Sequence, residues 1–341
     1  MVTLNEKNEL GNLGVEARPD RDMREILQLL AAEKYSALSA DSLPDMRAML
    51  DGFPSLFDAP SANLQKIRDQ SFRSSGSDIK VRLYEPMGWT DKAGLFLFFH
   101  GGGHVMGSLD SHDGLCRKMA SAGGMAVCAV DYRLAPEHRF PNGLEDCVAA
   151  YRWVLDGVDG LGLPSQKVAV GGDSAGGNLA AAAALLIRDR GLSAPALQVL
   201  IYPGLTYTQE TQSMSEFAEG YFLTLEDIYF FRDSYLGDVS SRSDYRASPL
   251  EAEDFSGLPH AMIHTAACDP LRDHGALYAK CLSAAGVDTR VTEHPGMLHG
   301  FFSFTGRSAY AEQAVIESAE AIGRHLRNYA SQDGFASDTQ W

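Results

Sequence analysis

From about residue 80 onward, short apolar runs alternate with segments whose apolar positions recur at helical spacing. The β-type runs fall at 79–85, 95–100, 125–131, 167–172, 197–202, 260–267 and 288–293. Helical patterns lie near 110–122, 142–157, 175–190, 271–285 and 308–330. A run such as Leu95-Phe-Leu-Phe-Phe99, apolar at every position, needs cover on both faces. Strands and helices taking turns in this way predict an α/β domain with a mainly parallel sheet between two helical layers. Pro141 suits the first turn of one helix, and Gly191 suits the end of another.

Two segments break the rhythm. Residues 20–50 carry Met23, Ile26, Leu27, Leu30 and Tyr35 at roughly helical spacing before any strand appears. Residues 206–247 follow a strand ending at Tyr202-Pro203, are too long for a simple connection, and contain an apolar helix candidate, Leu225–Tyr235. Each suits a packed surface helix; together they suit a cap, because ligands bind at the carboxyl ends of such strands. The expected division is therefore a cap segment over 1–50, a core over 51–205 and 248–341, and a second cap segment over 206–247. The polar stretch from Ser331 to Trp341 is expected to stay unpacked.

The chain has 341 residues, 45% hydrophobic and 22% charged, which is ordinary globular composition for one large domain with an appendage. A net charge of −16 argues against nucleic acid and anionic membrane as partners. The five cysteines are dispersed without a CxxC pair, so neither a disulfide framework nor a zinc site is expected, and no metal. The first residues lack the apolar region of a signal peptide, and the most apolar stretch, 179–187, is too short to span a bilayer. A cytoplasmic location is the expectation.

Candidate chemistry centres on Gly172-Asp173-Ser174-Ala175-Gly176, between the β-favouring run Lys167–Gly171 and the Ala/Leu-rich helix former Asn178–Ile187. A serine at a strand-to-helix turn, with glycine two places away on either side, is a nucleophile elbow. The tight turn leaves no room for neighbouring Cβ atoms and presents the hydroxyl above the sheet. A second motif, His100-Gly101-Gly102-Gly103, directly follows an apolar strand. Attack of Ser174 on a carbonyl would create an oxyanion, for which Gly101 and Gly102 can each offer a backbone N–H and Ala175 a third. Read alone, the glycine run is a flexible turn; paired with the elbow it reads as an oxyanion loop.

The serine needs a base to take its proton. Candidates beyond Ser174 are His260, His264, His274, His294 and His299. His299, in a loop after the last strand, is favoured by its place in the chain, with His294 its rival. The acid that orients the histidine is expected at Asp269, at a strand's carboxyl edge; Asp273 is the fallback, and Asp288 sits in a turn before the last strand. A loop residue, His104, reads as a pocket-lining or solvated group. The stretch Asp131–Glu137 reads as an ion-pair and hydrogen-bond network bracing the oxyanion loop, and Asp173 as a shaper of the elbow.

Together these motifs resemble the hormone-sensitive-lipase family of esterases, bacterial family IV, whose elbow reads GDSAG. The resemblance runs from about Val81 to Phe302 and includes His100–Ser108, Asp131–His138, Gly171–Leu179, Asp269–Asp273 and His299–Phe302. It implies an α/β-hydrolase fold, a mainly parallel eight-stranded sheet flanked by helices with a helical cap. It further implies Ser174, Asp269 and His299 as triad, Gly101, Gly102 and Ala175 as oxyanion donors, no cofactor, and a homodimer through the last strand and its neighbouring helix. The implied reaction is hydrolysis of short- to medium-chain acyl esters through an acyl-enzyme. An amidase, formamidase or lactonase would use the same groups, and a ligand receptor would keep the fold without the chemistry. The family often has an aromatic residue where this chain has His104.

Overall fold

The computed structural model describes residues 18–329 except 33–38, 40, 61 and 158–162. Tyr35, the first 17 residues and the tail from Ser331 lie outside the described residues. Eight strands form one sheet: β1 (Lys66–Ser74), β2 (Ser77–Glu85), β3 (Leu95–Phe99), β4 (Ala126–Asp131), β5 (Val168–Asp173), β6 (Leu197–Ile201), β7 (His260–Cys268) and β8 (Thr289–Leu298). Their order across the sheet is β1-β2-β4-β3-β5-β6-β7-β8. β2 runs antiparallel to both β1 and β4, and every pairing from β4 through β3 to β8 is parallel.

Strand β3 shows why the apolar runs were continuous. Leu95, Leu97 and Phe99 pack into one apolar layer with Leu144 and Leu179. Phe96 and Phe98 point into the other, with Met119, Val315 and Ile322. Those partners belong to α4 (Asn142–Asp156) and α5 (Ala175–Asp189) on one face, and to α3 (Asp113–Gly123) and α9 (Ala309–Tyr329) on the other. Alternation along a strand thus feeds two cores at once. Helix α5 is buried from Ala175 to Ile187, which its alanines permit by taking little room between sheet and α4. Pro141 stands one residue before α4, and Gly191, at φ +65°, follows the end of α5.

Above the carboxyl ends of the parallel strands lie α1 (Arg21–Ala32), α2 (Leu43–Phe57), α6 (Gln212–Glu216) and α7 (Leu225–Leu236). Helix α2 continues to Phe57, so a boundary at residue 50 cuts through it. Arg47 of α2 joins it to the core, donating to Glu137 at 2.8 Å and to the carbonyls of Val105 and Ala135. Helix α7 starts at Thr224, whose hydroxyl accepts from Asp227 N–H while the Asp227 carboxylate accepts from Thr224 N–H, a capping box. Helix α8 (Arg272–Ala284) links β7 to β8. No described helix is long and apolar enough to cross a membrane.

Candidate active site

The elbow is built where β5 meets α5. Ser174 has φ +54° and ψ −118°, a conformation costing a non-glycine residue about 1–3 kcal/mol. Its N–H donates to Ile201 C=O at 2.8 Å, so the turn is tied to the neighbouring strand. A Cβ on Gly172 or Gly176 would fall on the Phe99 carbonyl. The flanking glycines are therefore dictated by close approach to β3.

Asp269 follows β7 and His299 follows β8, so sheet ends bring three distant residues together. His299 Nε2 lies 2.8 Å from Ser174 Oγ, and its Nδ1 lies 2.8 Å from Asp269 Oδ2. Asp269 is fully buried, and its Oδ1 accepts Leu271 N–H at 2.8 Å. With Nδ1–H donating to the carboxylate, Nε2 is left as an acceptor facing the serine hydroxyl.

The rival groups are engaged elsewhere. Asp273 accepts Ser213 N–H at 2.9 Å and pairs with Arg272 at 3.0 Å. Asp288 faces His260 at 3.2 Å. His294 and His264 face each other at 3.0 Å beneath the sheet edge. His274 lines the pocket, but its Nδ1 accepts Leu205 N–H at 3.1 Å.

The oxyanion loop corrects one expectation. Gly101 N–H is not free for a substrate: it donates to Asp173 Oδ1 at 2.8 Å. The pocket wall includes Gly102, Gly103 and Ala175 and leaves Gly101 out. Gly102 and Gly103 have φ of +111° and +62°, so both need glycine on backbone grounds. Burial alone would lift the Asp173 carboxyl; attraction and hydrogen bonding to His112 and the Gly101 N–H outweigh it and hold Asp173 below the usual carboxylate range. Burial, with the neighbouring His112, pushes His100 down to about 3, so it is neutral.

The Asp131–Glu137 stretch braces this loop as expected. Tyr132 O–H donates to His100 C=O at 2.7 Å, and Ala135 N–H donates to His104 C=O at 2.9 Å. Arg133 grips the fully buried Asp146 through two hydrogen bonds of 2.7 and 2.8 Å.

The pocket over Ser174 encloses about 260 Å³. One end is walled by Phe53, Phe222 and Phe304, with Phe222 against Gly300 beside His299. At the other, Phe231 covers Gly103. Residues from α2 and α7 thus close over the serine. His104 is 2% exposed, so it is a pocket group and not a solvated one. It stacks on Tyr235 with ring centres 3.8 Å apart, and its Nε2 lies 2.9 Å from the Tyr207 hydroxyl. Burial holds it near 3 and therefore neutral. Asp58, which sequence reasoning missed, also lines the pocket. Burial raises its carboxyl to about 6 against the lowering influence of His112 and Lys118. No local pattern marks it, because it reaches the pocket only through the position of α2.

A strained serine between a buried acid–base pair and free loop amides, at the carboxyl edge of a mainly parallel sheet, defines a hydrolase of the α/β class. The family model described as the alpha/beta hydrolase fold matches residues 96–303, and the chain belongs to that family. It falls in the hormone-sensitive-lipase-like branch, bacterial family IV, and is a carboxylic ester hydrolase. The carboxylic ester hydrolase LipN of Mycobacterium tuberculosis is 40% identical over 285 residues, 81% of this chain and 74% of the relative. The ethyl acetate hydrolase of Pseudomonas putida is 36% identical over 318 residues, 89% and 98% of the two chains. Among solved structures, an ester hydrolase from the Lake Arreo metagenome, complexed with a bipyridine phosphonate derivative, superposes with a TM-score of 0.85 at 37% identity, covering 90% of this chain and 99% of its own. The hyperthermophilic esterase of Pyrobaculum calidifontis gives 0.85 at 36% identity, covering 90% and 98%.

Proposed function

We propose that the chain is a serine carboxylesterase acting on short- to medium-chain acyl esters. Ser174 Oγ attacks the ester carbonyl while His299 Nε2 takes its proton and Asp269 steadies the resulting imidazolium. The oxyanion rests on the N–H groups of Gly102, Gly103 and Ala175. As the tetrahedral intermediate collapses, His299 returns the proton to the departing alcohol, leaving Ser174 acylated. Water then gives a proton to His299 and attacks the acyl carbon; on collapse His299 passes that proton to Ser174 Oγ, which releases the acid and restores both serine and neutral histidine. The single observation supporting this order is the pair of 2.8 Å contacts that His299 makes to Ser174 and Asp269. The aromatic and aliphatic walls around about 260 Å³ favour modest acyl chains over long ones.

The test is turnover of p-nitrophenyl esters of graded acyl length beside acyl anilides and lactones. A serine-directed phosphonate should block all turnover and add its mass to the Ser174 peptide, and Ser174→Ala should lose both. Ester turnover surviving in Ser174→Ala would refute the serine mechanism; faster cleavage of anilides or lactones would reassign the substrate. The same reading takes the enzyme to be cytoplasmic and a homodimer through edge strand β8 and its neighbouring helix; light scattering on the parent and on a charge-bearing Val291→Glu variant tests the dimer.

A further inference from the structure

Catalysis by backbone amides depends on where the peptide planes of the glycine run point. A peptide unit is planar and trans, so fixing its C=O also fixes the direction of the N–H that follows. Three consecutive planes are fixed here, each by a different group. In the first, His100 C=O accepts the Tyr132 hydroxyl at 2.7 Å and Gly101 N–H donates to Asp173 Oδ1 at 2.8 Å. In the second, Gly101 C=O accepts from His100 Nδ1 at 2.8 Å, which aims Gly102 N–H. In the third, Gly102 C=O accepts Met106 N–H at 2.9 Å and Val105 N–H at 3.1 Å, which aims Gly103 N–H. The second and third planes present the amides that face the pocket; the first is the anchor from which they hang.

We propose that Asp173 and His112 are positioning residues for the oxyanion loop, holding its first peptide plane so that the next two N–H groups meet the developing oxyanion. The proposal rests on the serine reading above. Asp173 is 5% exposed and does not belong to the Ser174–His299–Asp269 relay, yet its carboxylate lies against Gly101. Its Oδ2 occupies the space where a Cβ on Gly101 would stand, so the first glycine of the run is required by this carboxylate while its φ is ordinary. His112, 5% exposed, brings Nε2 to 3.3 Å from the same Oδ1 and is itself held by Ser111 Oγ at 2.8 Å from Nδ1. One oxygen therefore couples the elbow, the glycine loop and the start of α3. The residue next to the nucleophile thereby also holds the glycine loop that faces the oxyanion, 72 positions away in the chain.

The experiment measures kcat and KM on p-nitrophenyl butyrate, with phosphonate titration to count competent sites. It also measures inhibition by a trifluoromethyl ketone, whose adduct carries the oxyanion. Asp173→Ala should lower kcat about 10- to 100-fold with KM little changed, and weaken the ketone by the same factor. Asp173→Asn keeps a carbonyl that can accept Gly101 N–H and should recover to within about five-fold of the parent; His112→Ala should fall between the two. The proposal is overturned if Asp173→Ala stays within about two-fold of the parent in kcat, if its loss appears in KM with ketone affinity intact, or if Asp173→Asn is as impaired as the alanine variant. Should the alanine variant not fold, Tyr132→Phe frees the same peptide plane from its other side. It should show parallel losses in kcat and ketone affinity, and no loss would overturn the proposal. A parent enzyme that the phosphonate leaves unlabelled would instead refute the serine reading beneath it.

Discussion

Replacing Asp269 by asparagine tests the acid–base assignment with minimal change of shape. Both carboxylate oxygens are in use: Oδ2 accepts from His299 and Oδ1 accepts Leu271 N–H, at zero solvent exposure. An amide offers one acceptor and one donor to these two N–H groups. If its oxygen serves Leu271, its NH₂ meets His299 Nδ1 and forces the proton onto Nε2, where it can no longer receive one from Ser174. If its oxygen serves His299, the NH₂ opposes Leu271 N–H inside a dry site, and the charge that stabilises the imidazolium is gone in either case. An acid-to-amide change in a serine triad costs ~10⁴ in kcat, or about 5.4 kcal/mol of barrier. The assay is the initial rate on p-nitrophenyl butyrate at pH 8, normalised by phosphonate titration, beside Asp273→Asn. Asp273 sits in a part-buried pair with Arg272 and accepts Ser213 N–H, away from His299, so its variant should remain within about three-fold of the parent. If Asp269→Asn stayed within about ten-fold while Asp273→Asn collapsed, the acid would be Asp273 and the reasoning wrong.

Two other outcomes follow from the same contacts. Burial holds His264 at about 3 and His294 at about 4, below the ordinary 6.5. The unfolded chain therefore binds protons that the folded one refuses, and stability present above pH 6.5 is lost as pH falls towards 4, by up to ~1.4 kcal/mol per pH unit for each such histidine. Urea midpoints between pH 4.5 and 7.5 should fall less steeply in His264→Gln, and an unchanged slope would show that the pair is not the source. Arg47→Ala removes bonds to two loop carbonyls as well as to Glu137 and should cost about 1–2 kcal/mol, whereas Glu137→Ala removes only a half-exposed ion pair worth ~1 kcal/mol or less; equal losses would contradict this ranking.

Seven of the eight strands and the five main core helices were legible because their apolar positions are dictated by a two-faced sheet. Strand β1 was not: in Lys66–Ser74 only Phe72 and Ser74 are buried, and an edge strand of that composition carries no signal in a sequence. The boundary drawn at residue 50 falls inside α2. Its pocket-facing residues, Met46, Leu50 and Phe53, sit among polar ones, and Pro54 within the helix reads as a stop. Helix α7 could be read to within one residue, since its capping box and Gly237 mark both ends locally.

The site divides along a similar line. Ser174, Asp269 and His299 could be chosen from chain order, because each stands at a strand's carboxyl end and the fold brings those ends together. Which glycine donates to an oxyanion is a different kind of fact. Three identical residues in a row carry no difference that a sequence can display, and the choice among them is made by Asp173, a residue whose neighbour in space lies 72 positions away in the chain. The same holds for His104, whose burial comes from Tyr235 of α7 stacking on it. A loop histidine with a free choice of surroundings would be solvated; one lying under a cap helix has its charge removed by burial and becomes part of an apolar wall. The sequence motifs thus name the groups able to react, while hydrogen bonds across the fold decide which backbone amides face the pocket.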